Sequence, residues 1–435
     1  MKNRLPALDP RNLLVFLLIG LAGCSAFPFQ GVLPGQTPTV TPTHPAVATQ
    51  TLTPTGTSTP ARPGSLRIWL PPQFDPNGSS PSAFLLRSRL NEFSSRRSGV
   101  HIEVRVKAVN GSGGLLDSLS AANAAAPLAL PDLILLPRAI LEAAALKGLL
   151  FPFDGQIDSL SSDDWYGFAQ QLARLQNSTF GLPFAGDALI LLYRPATIPE
   201  PPLDWTATLA LDSPLIFPAG DERALFTLLQ YLSADGKIQD NEGLPMLDEK
   251  TLTDVLTFYQ QAEQAGVMPV WLTQFSSDDQ AWKAYGEGRA NLIVTWASRY
   301  LNELPADTAA VPVPTATGTP LTLADGWVWA LSNPQTDNRA LTVELAQFLT
   351  DSDFLARWTS TAGYLPPRAS ALAGWSSPAL QSLVDQIVHS AQIIPSADVL
   401  IALSPALGEA TLNVLKEQAD PAEAAQSAVA RLSGP

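Results

Sequence analysis

His101-Ile-Glu-Val-Arg-Val-Lys107 and Asp132-Leu-Ile-Leu-Leu136, with the helix-prone stretch Leu115 to Ala126 between them, decide the architecture. In the first, Ile102, Val104 and Val106 alternate with polar residues, the period of a strand with one buried face. That places His101 on the polar side, away from a ligand role. The second is apolar throughout, as a strand covered on both faces of a parallel sheet must be. The intervening helix stops before Pro127, and strands alternating with helices at this spacing predict an α/β fold with crossover connections. The rhythm extends in both directions. Leu66-Arg-Ile-Trp-Leu70 reads as a strand, followed by a Pro/Gly/Asn loop and the helical pattern Phe84, Leu85, Leu90, Phe93. Beyond it come Ala188-Leu-Ile-Leu-Leu-Tyr193, Leu215-Ile-Phe217, Asn291-Leu-Ile-Val-Thr-Trp296 and Trp327-Val-Trp-Ala-Leu331. Leu252, Val255, Leu256 and Tyr259 form a helical stripe that Gly266 ends, and Leu341, Leu345, Phe348 and Leu349 repeat it. Asp420-Pro-Ala-Glu423 has an N-cap, a proline at the first helical position and a glutamate at the third.

Composition removes several function classes. The chain has 435 residues, 46% hydrophobic, with net charge −14, 39 prolines, three histidines and one cysteine. A lone cysteine excludes an internal disulfide and a cysteine-rich metal site. His44, His101 and His389 are scattered, so neither a metal nor a cofactor is expected. An acidic chain lacks the clustered cations that nucleic acid requires. Asn110-Gly-Ser-Gly-Gly114 before a helix lacks the phosphate-loop lysine and the dinucleotide spacing, and reads as a plain loop. With 40 acids, some pair of carboxylates is inevitable, so a two-carboxylate glycosidase gains no support from counting them. No Gly-x-Ser-x-Gly elbow or His-Glu-x-x-His helix occurs.

The N-terminal segment differs from the rest. Lys2, Arg4 and Arg11 precede the apolar run Leu13 to Leu21, too short to span a bilayer comfortably, where about 20 residues are needed. Leu21-Ala22-Gly23-Cys24 resembles the lipobox of bacterial lipoproteins, which implies a signal peptide over 1–23 and a lipid on Cys24. Residues 24–64 then read as a Pro/Thr-rich tether that cannot bury enough apolar surface to fold.

The order of Gly99-Val-His-Ile-Glu-Val104, Leu130-Pro-Asp-Leu-Ile-Leu135, Gly148-Leu-Leu-Phe-Pro-Phe-Asp154 and Phe180-Gly-Leu-Pro-Phe-Ala-Gly-Asp-Ala-Leu189 resembles the extracellular solute-binding proteins of ABC importers. The subgroup that includes maltose-binding proteins is the nearest likeness. Trp282-Lys-Ala-Tyr-Gly-Glu-Gly-Arg-Ala-Asn291, Gly326-Trp-Val-Trp-Ala-Leu331 and Gly363-Tyr-Leu-Pro-Pro367 continue the match. The resemblance implies a two-lobe fold of the periplasmic-binding-protein type II kind, its lobes joined by three hinge crossings with a ligand cleft between them. The crossings are expected near Phe184-Ala185, Thr322 to Asp325 and Tyr364 to Pro367. One lobe is then 65–184 plus 326–362 and the other 186–321 plus 368–435, with Gly186, Gly326 and Gly363 beside the crossings as hinge or turn residues.

The same resemblance implies a binding protein and no enzyme: a monomer, anchored by lipid on the extracytoplasmic face, that passes a solute to ABC permease subunits. Sugar is the first expectation, because aromatic faces stack on a pyranose while carboxylates bond its hydroxyls. The expected ligand-binding residues are Phe74, Asp75, Arg138, Asp187, Trp296, Asp325, Trp327 and Tyr364. For Arg138 an i,i+4 pair with Glu142 competes. Related sugar binders often carry an aromatic near what is here Leu403-Ser-Pro-Ala-Leu407, and this chain has none there. A sensory lipoprotein of the same fold and a secreted carbohydrate-active enzyme are the alternatives.

Overall fold

The computed structural model describes residues 64–97, 99–158, 160–334 and 337–432. The expected signal peptide, Cys24, His44 and the tether lie outside them. The chain order begins β1 (Ser65–Leu70), α1 (Pro81–Arg96), β2 (His101–Val106), α2 (Leu115–Ala125), β3 (Leu133–Pro137), α3 (Arg138–Leu146), α4 (Gly167–Ala173), β4 (Arg174–Leu175), β5 (Ser178–Thr179) and β6 (Leu182–Tyr193). It continues with α5 (Trp205–Leu209), β7 (Leu215–Ile216), α6 (Leu225–Ser233), α7 (Glu249–Gln264), α8 (Asp278–Gly286), β8 (Leu292–Trp296), α9 (Ala297–Glu303), β9 (Ala309–Val311) and β10 (Thr322–Leu331). Last come α10 (Arg339–Leu349), α11 (Ser352–Ala362), α12 (Ala369–Ala373), α13 (Pro378–Ser390), β11 (Ala391–Ile393), α14 (Ala397–Leu415) and α15 (Pro421–Leu432).

Local chemistry starts and stops these elements. Ser80, Asp248, Asp351 and Asp420 each accept a backbone N–H in the first turn of the helix that follows, as N-caps do. In α1 the buried face is Ala83, Leu86, Leu90 and Phe93, whereas Phe84 is 58% exposed. Of the expected stripe only Phe84 departs, lying outward with the Arg87 guanidinium 5.4 Å from its ring centre, while Leu85, Leu90 and Phe93 pack inward. β3 is apolar throughout for the expected reason. Leu133 and Leu135 face one core with Leu66, Ile68 and Phe93, and Ile134 and Leu136 face another with Trp69, Leu119 and Val328.

The sheet runs β2-β1-β3-β10-β6-β8-β7. β1 is parallel to β2 and β3, β10 is antiparallel to β3 and β6, and β6 is antiparallel to β8. Two strands are longer than their apolar runs. β6 pairs with β10 from Leu182 to Ala188 and with β8 from Leu189 onward, and β10 adds Thr322 to Gly326 ahead of Trp327. Leu365 exchanges two backbone hydrogen bonds with Gly186, both 2.8 Å, so a third segment lies beside this pair. The three segments in which crossings are expected thus lie side by side around Gly186.

Glycine is needed here for room. A Cβ on Gly326 would sit 2.4 Å from the Ala185 carbonyl oxygen, and one on Gly186 would sit 2.6 Å from the Phe168 ring. Gly363 instead has φ +67° and ends α11 as a left-handed cap.

Candidate functional site

Where β6 and β10 pass each other, the strand ends and α9 enclose a cavity of about 430 Å³. Asp187 comes from β6, Asp325 and Trp327 from β10, and Trp296 from the last position of β8. Asp187 and Asp325 are direct cross-strand partners, which is why two carboxylates separated by most of a domain's length meet in one cavity. Ser298, Arg299, Asn302 and Glu303 line it from α9, and Asp278 from the start of α8.

The two aspartates are held differently. The Ser298 amide donates to Asp187 Oδ1 at 3.0 Å, the Ser298 hydroxyl to Oδ2 at 2.5 Å, and the Ala188 amide to Oδ1 at 3.0 Å. Asp187 thereby fastens α9 to β6. Burial pushes its carboxyl up to about 7, aided by nearby Asp278 and opposed by the bonds from Ser298 and Ala188. Asp325 accepts the Gly326 amide at 2.8 Å on Oδ1. Its Oδ2 lies 4.0 Å from an Arg223 guanidinium nitrogen, beyond hydrogen-bond distance, and 28% of the side chain is exposed. Burial raises this carboxyl too, against the pull of Arg223 and Arg138. Arg299 is paired with Asp278 and Asp279, and the Thr295 hydroxyl donates to Asp278 at 2.7 Å, which fixes the guanidinium at the wall.

Four of the eight expected residues, Asp187, Trp296, Asp325 and Trp327, line this cavity. The other four do not. Phe74 is buried at 2% exposure, with Trp327 edge-on at 5.0 Å and Tyr364 at 5.6 Å, so it buttresses Trp327 from behind. Tyr364 stacks on Trp358 at 5.9 Å in the same aromatic cluster. Asp75 closes a short 3-10 turn and accepts the Asn77 amide at 2.9 Å. Arg138 is bonded to Glu142 at 2.6 Å and donates to the carbonyls of Gln171, Leu172 and Arg174, so the competing pair with Glu142 is what forms.

The polar face of α9 escaped the sequence reading. Ser298, Arg299, Asn302 and Glu303 recur at helical spacing directly after a strand, a pattern indistinguishable from a solvated face until the neighbours are known. The Asn110–Gly114 loop is plain, as expected: Asp117 accepts the Gly113 amide at 2.7 Å, occupying the loop with its own carboxylate. His101 is exposed on the edge strand and His389 on α13. Among the described residues no three His, Cys, Asp or Glu side chains converge as a metal site. Flat aromatic faces beside carboxylates, a guanidinium and an amide suit a neutral, hydroxyl-rich solute of modest size.

The family model for bacterial extracellular solute-binding proteins matches residues 89–385, more than half of the chain. No curated protein sequence matches it. Among solved structures, the sugar-binding protein MalE of Xanthomonas citri superposes with TM-score 0.70 at 16% identity, covering 85% of this chain and 96% of its own. The cyclic α-maltosyl-1,6-maltose binding protein of Arthrobacter globiformis gives 0.69 at 17%, covering 85% and 98%. The GacH receptor of Streptomyces glaucescens, solved with and without acarbose, gives 0.64 at 15%, covering 85% and 99%. Identities this low carry the fold, the two-lobe α/β arrangement of periplasmic binding proteins.

Proposed function

The chain belongs to the family of bacterial extracellular solute-binding proteins, and from that premise we propose that it captures a sugar or oligosaccharide in the Asp187–Asp325 cavity and delivers it to an ABC permease. The observation that carries this reading is the lining: Trp296 and Trp327 bring two indole rings to one cavity that also holds Asp187, Asp325 and Asn302. A volume of about 430 Å³ lies in the range of small-molecule sites, roughly 300–1,000 Å³. The three structural relatives bear names that refer to sugars or were solved with a sugar analogue.

The lobes we propose are 65–184 with 326–390, and 186–321 with 397–432. This differs from the expected division, which placed 368–390 with the second lobe; the packing of α12 against α11 and of α13 against α4 supports the change, while α14 and α15 pack against α7. Closure would bend β6 and β10 near Gly186 and Gly326. We propose further that Cys24 carries the lipid that holds the protein at the membrane. Exchange of Cys24 for Ala would then move the protein from the membrane to the soluble fraction.

A thermal-shift and calorimetric screen of sugars, polyols, amino acids and peptides tests the ligand class. A sugar should raise Tm and be recovered unchanged. Stabilisation by amino acids or peptides with none by sugars overturns the reading, and product formation supports an enzyme instead.

A further inference from the structure

A second concavity adjoins the first. The turn at 219–223 ahead of α6 and the outward side of α14 enclose a groove of about 610 Å³. On α14 its lining includes Ile401, Pro405, Gly408 and Leu412, spaced four, three and four apart and so aligned along one helix face. The other side of α14, with Val399, Leu403, Leu407 and Val414, is committed to the core. Ile401 is 77% exposed, so the stripe is an apolar surface open to solvent.

The facing turn is held in place. Asp221 accepts the Arg223 amide at 3.2 Å, the Gly220 amide donates to the Phe275 carbonyl at 2.8 Å, and the Ser404 hydroxyl ties α14 to the Arg223 carbonyl at 2.9 Å. Gly408 lies inside a helix, and its only neighbour within reach of an added Cβ is the Ala224 Cβ at 3.9 Å. An alanine would fit there and would favour the helix. Glycine leaves the groove deeper at that point.

Groove and cavity share a boundary. Arg223 lines the groove, Asp325 lines the cavity, and their charged groups stand 4.0 Å apart without a hydrogen bond. No aromatic side chain is among the groove's lining residues, so a second pyranose would find no flat face there. Around the aliphatic stripe Asp221 and Glu222 outnumber Arg223, and Glu409 is already paired with Arg431, so the rim gives a carboxylate or phosphate on the occupant little attraction. It gives an anionic membrane surface equally little, although α14 is long and apolar enough to cross one by length and composition.

We propose that the solute is an uncharged amphipathic glycoside, its sugar in the Asp187–Asp325 cavity and an aliphatic substituent passing Arg223 into the groove along α14. This rests on the sugar reading above. The test is titration calorimetry of the purified protein with methyl, butyl, hexyl and octyl glucosides and maltosides, all below micellar concentration. Affinity should rise at least tenfold from methyl to hexyl, with an upper limit of about fourfold per buried methylene. Gly408→Leu, which fills the groove, and Ile401→Glu, at an exposed position, should each abolish that dependence on chain length. Equal affinity along the series, with the methyl glycoside bound, overturns the aliphatic site and leaves the sugar reading standing. Absence of binding by every member, when another sugar in the screen above does bind, overturns the proposal alone, and absence of binding by every sugar in both experiments overturns the sugar reading with it. Binding of hexanol as tight as that of hexyl glycoside also overturns the proposal, since the sugar would then contribute nothing.

Discussion

The cavity at Asp187 and Asp325 and the groove along α14 meet at one ion pair, yet they are built from opposite materials. The cavity is made where strands pair, and its side chains are mostly aromatic, charged or polar, with Asp187, Asp278 and Arg299 each bonded to their surroundings. The groove is made on the outside of a helix, and its floor is an aliphatic stripe, Ile401, Pro405 and Leu412, that offers a ligand no hydrogen bond, with the polar residues at its rim. A strand register specifies each residue's neighbour, so a substitution in the cavity is felt directly. A helix face specifies only a side, so the groove should tolerate change in the fold while responding in ligand preference.

Four substitutions probe that contrast, starting with the greatest expected effect. Gly326→Val places a side chain on the Ala185 carbonyl and should destabilise the protein by about 3 kcal/mol, read by urea denaturation. A loss below about 1 kcal/mol would mean that the β6–β10 contact is looser than the register implies. Trp296→Ala removes a cavity ring and should weaken a bound sugar by about 2 kcal/mol in calorimetry, with little change in the melting point of the free protein.

Asp187→Asn tests the pH response. The folded carboxyl titrates near 7, above the ordinary aspartate value of about 3.9, so its contribution is fully favourable below pH 4 and is lost as pH rises through 7. Wild type should therefore lose stability relative to Asp187→Asn between pH 4 and 7, by an order of 1–3 kcal/mol, with no further divergence above pH 8. Parallel denaturation midpoints across that range would mean that the Ser298 bonds, not burial, govern the carboxyl. The smallest effect belongs to the groove. Gly408→Ala should stabilise the free protein by about 0.5–1 kcal/mol through helix propensity, seen as a higher melting temperature. Destabilisation there would make the groove as tightly specified as the cavity.

Much of this was legible residue by residue. β1, β2, β3 and β8 follow from apolar alternation or continuity; Asp420 caps its helix with its carboxylate, and Gly266, at φ +74°, ends another because it has no side chain. Asp187, Trp296, Asp325 and Trp327 were expected from the family likeness, and they share a cavity. The early parts of β6 and β10 were not legible. Gly186 and Gly326 read as hinge or turn residues, and only the close approach of neighbouring backbone and the Phe168 ring explains them inside strands. Arg138 and Phe74 were misplaced for a related reason. Their partners, the carbonyls ending α4 and the rings of Trp327 and Tyr364, lie far away in sequence.

Periodicity and capping are local, decided within a few residues, and so the α/β character, most elements and the apolar side of each could be read along the chain. Which carboxylate faces which, whether an arginine is free or bonded, and that α14 leaves an apolar stripe beside a polar cavity depend on contacts between separate elements of the chain. Those were settled only when the strands paired, because a hydrogen-bonded register is a property of two segments and belongs to neither alone.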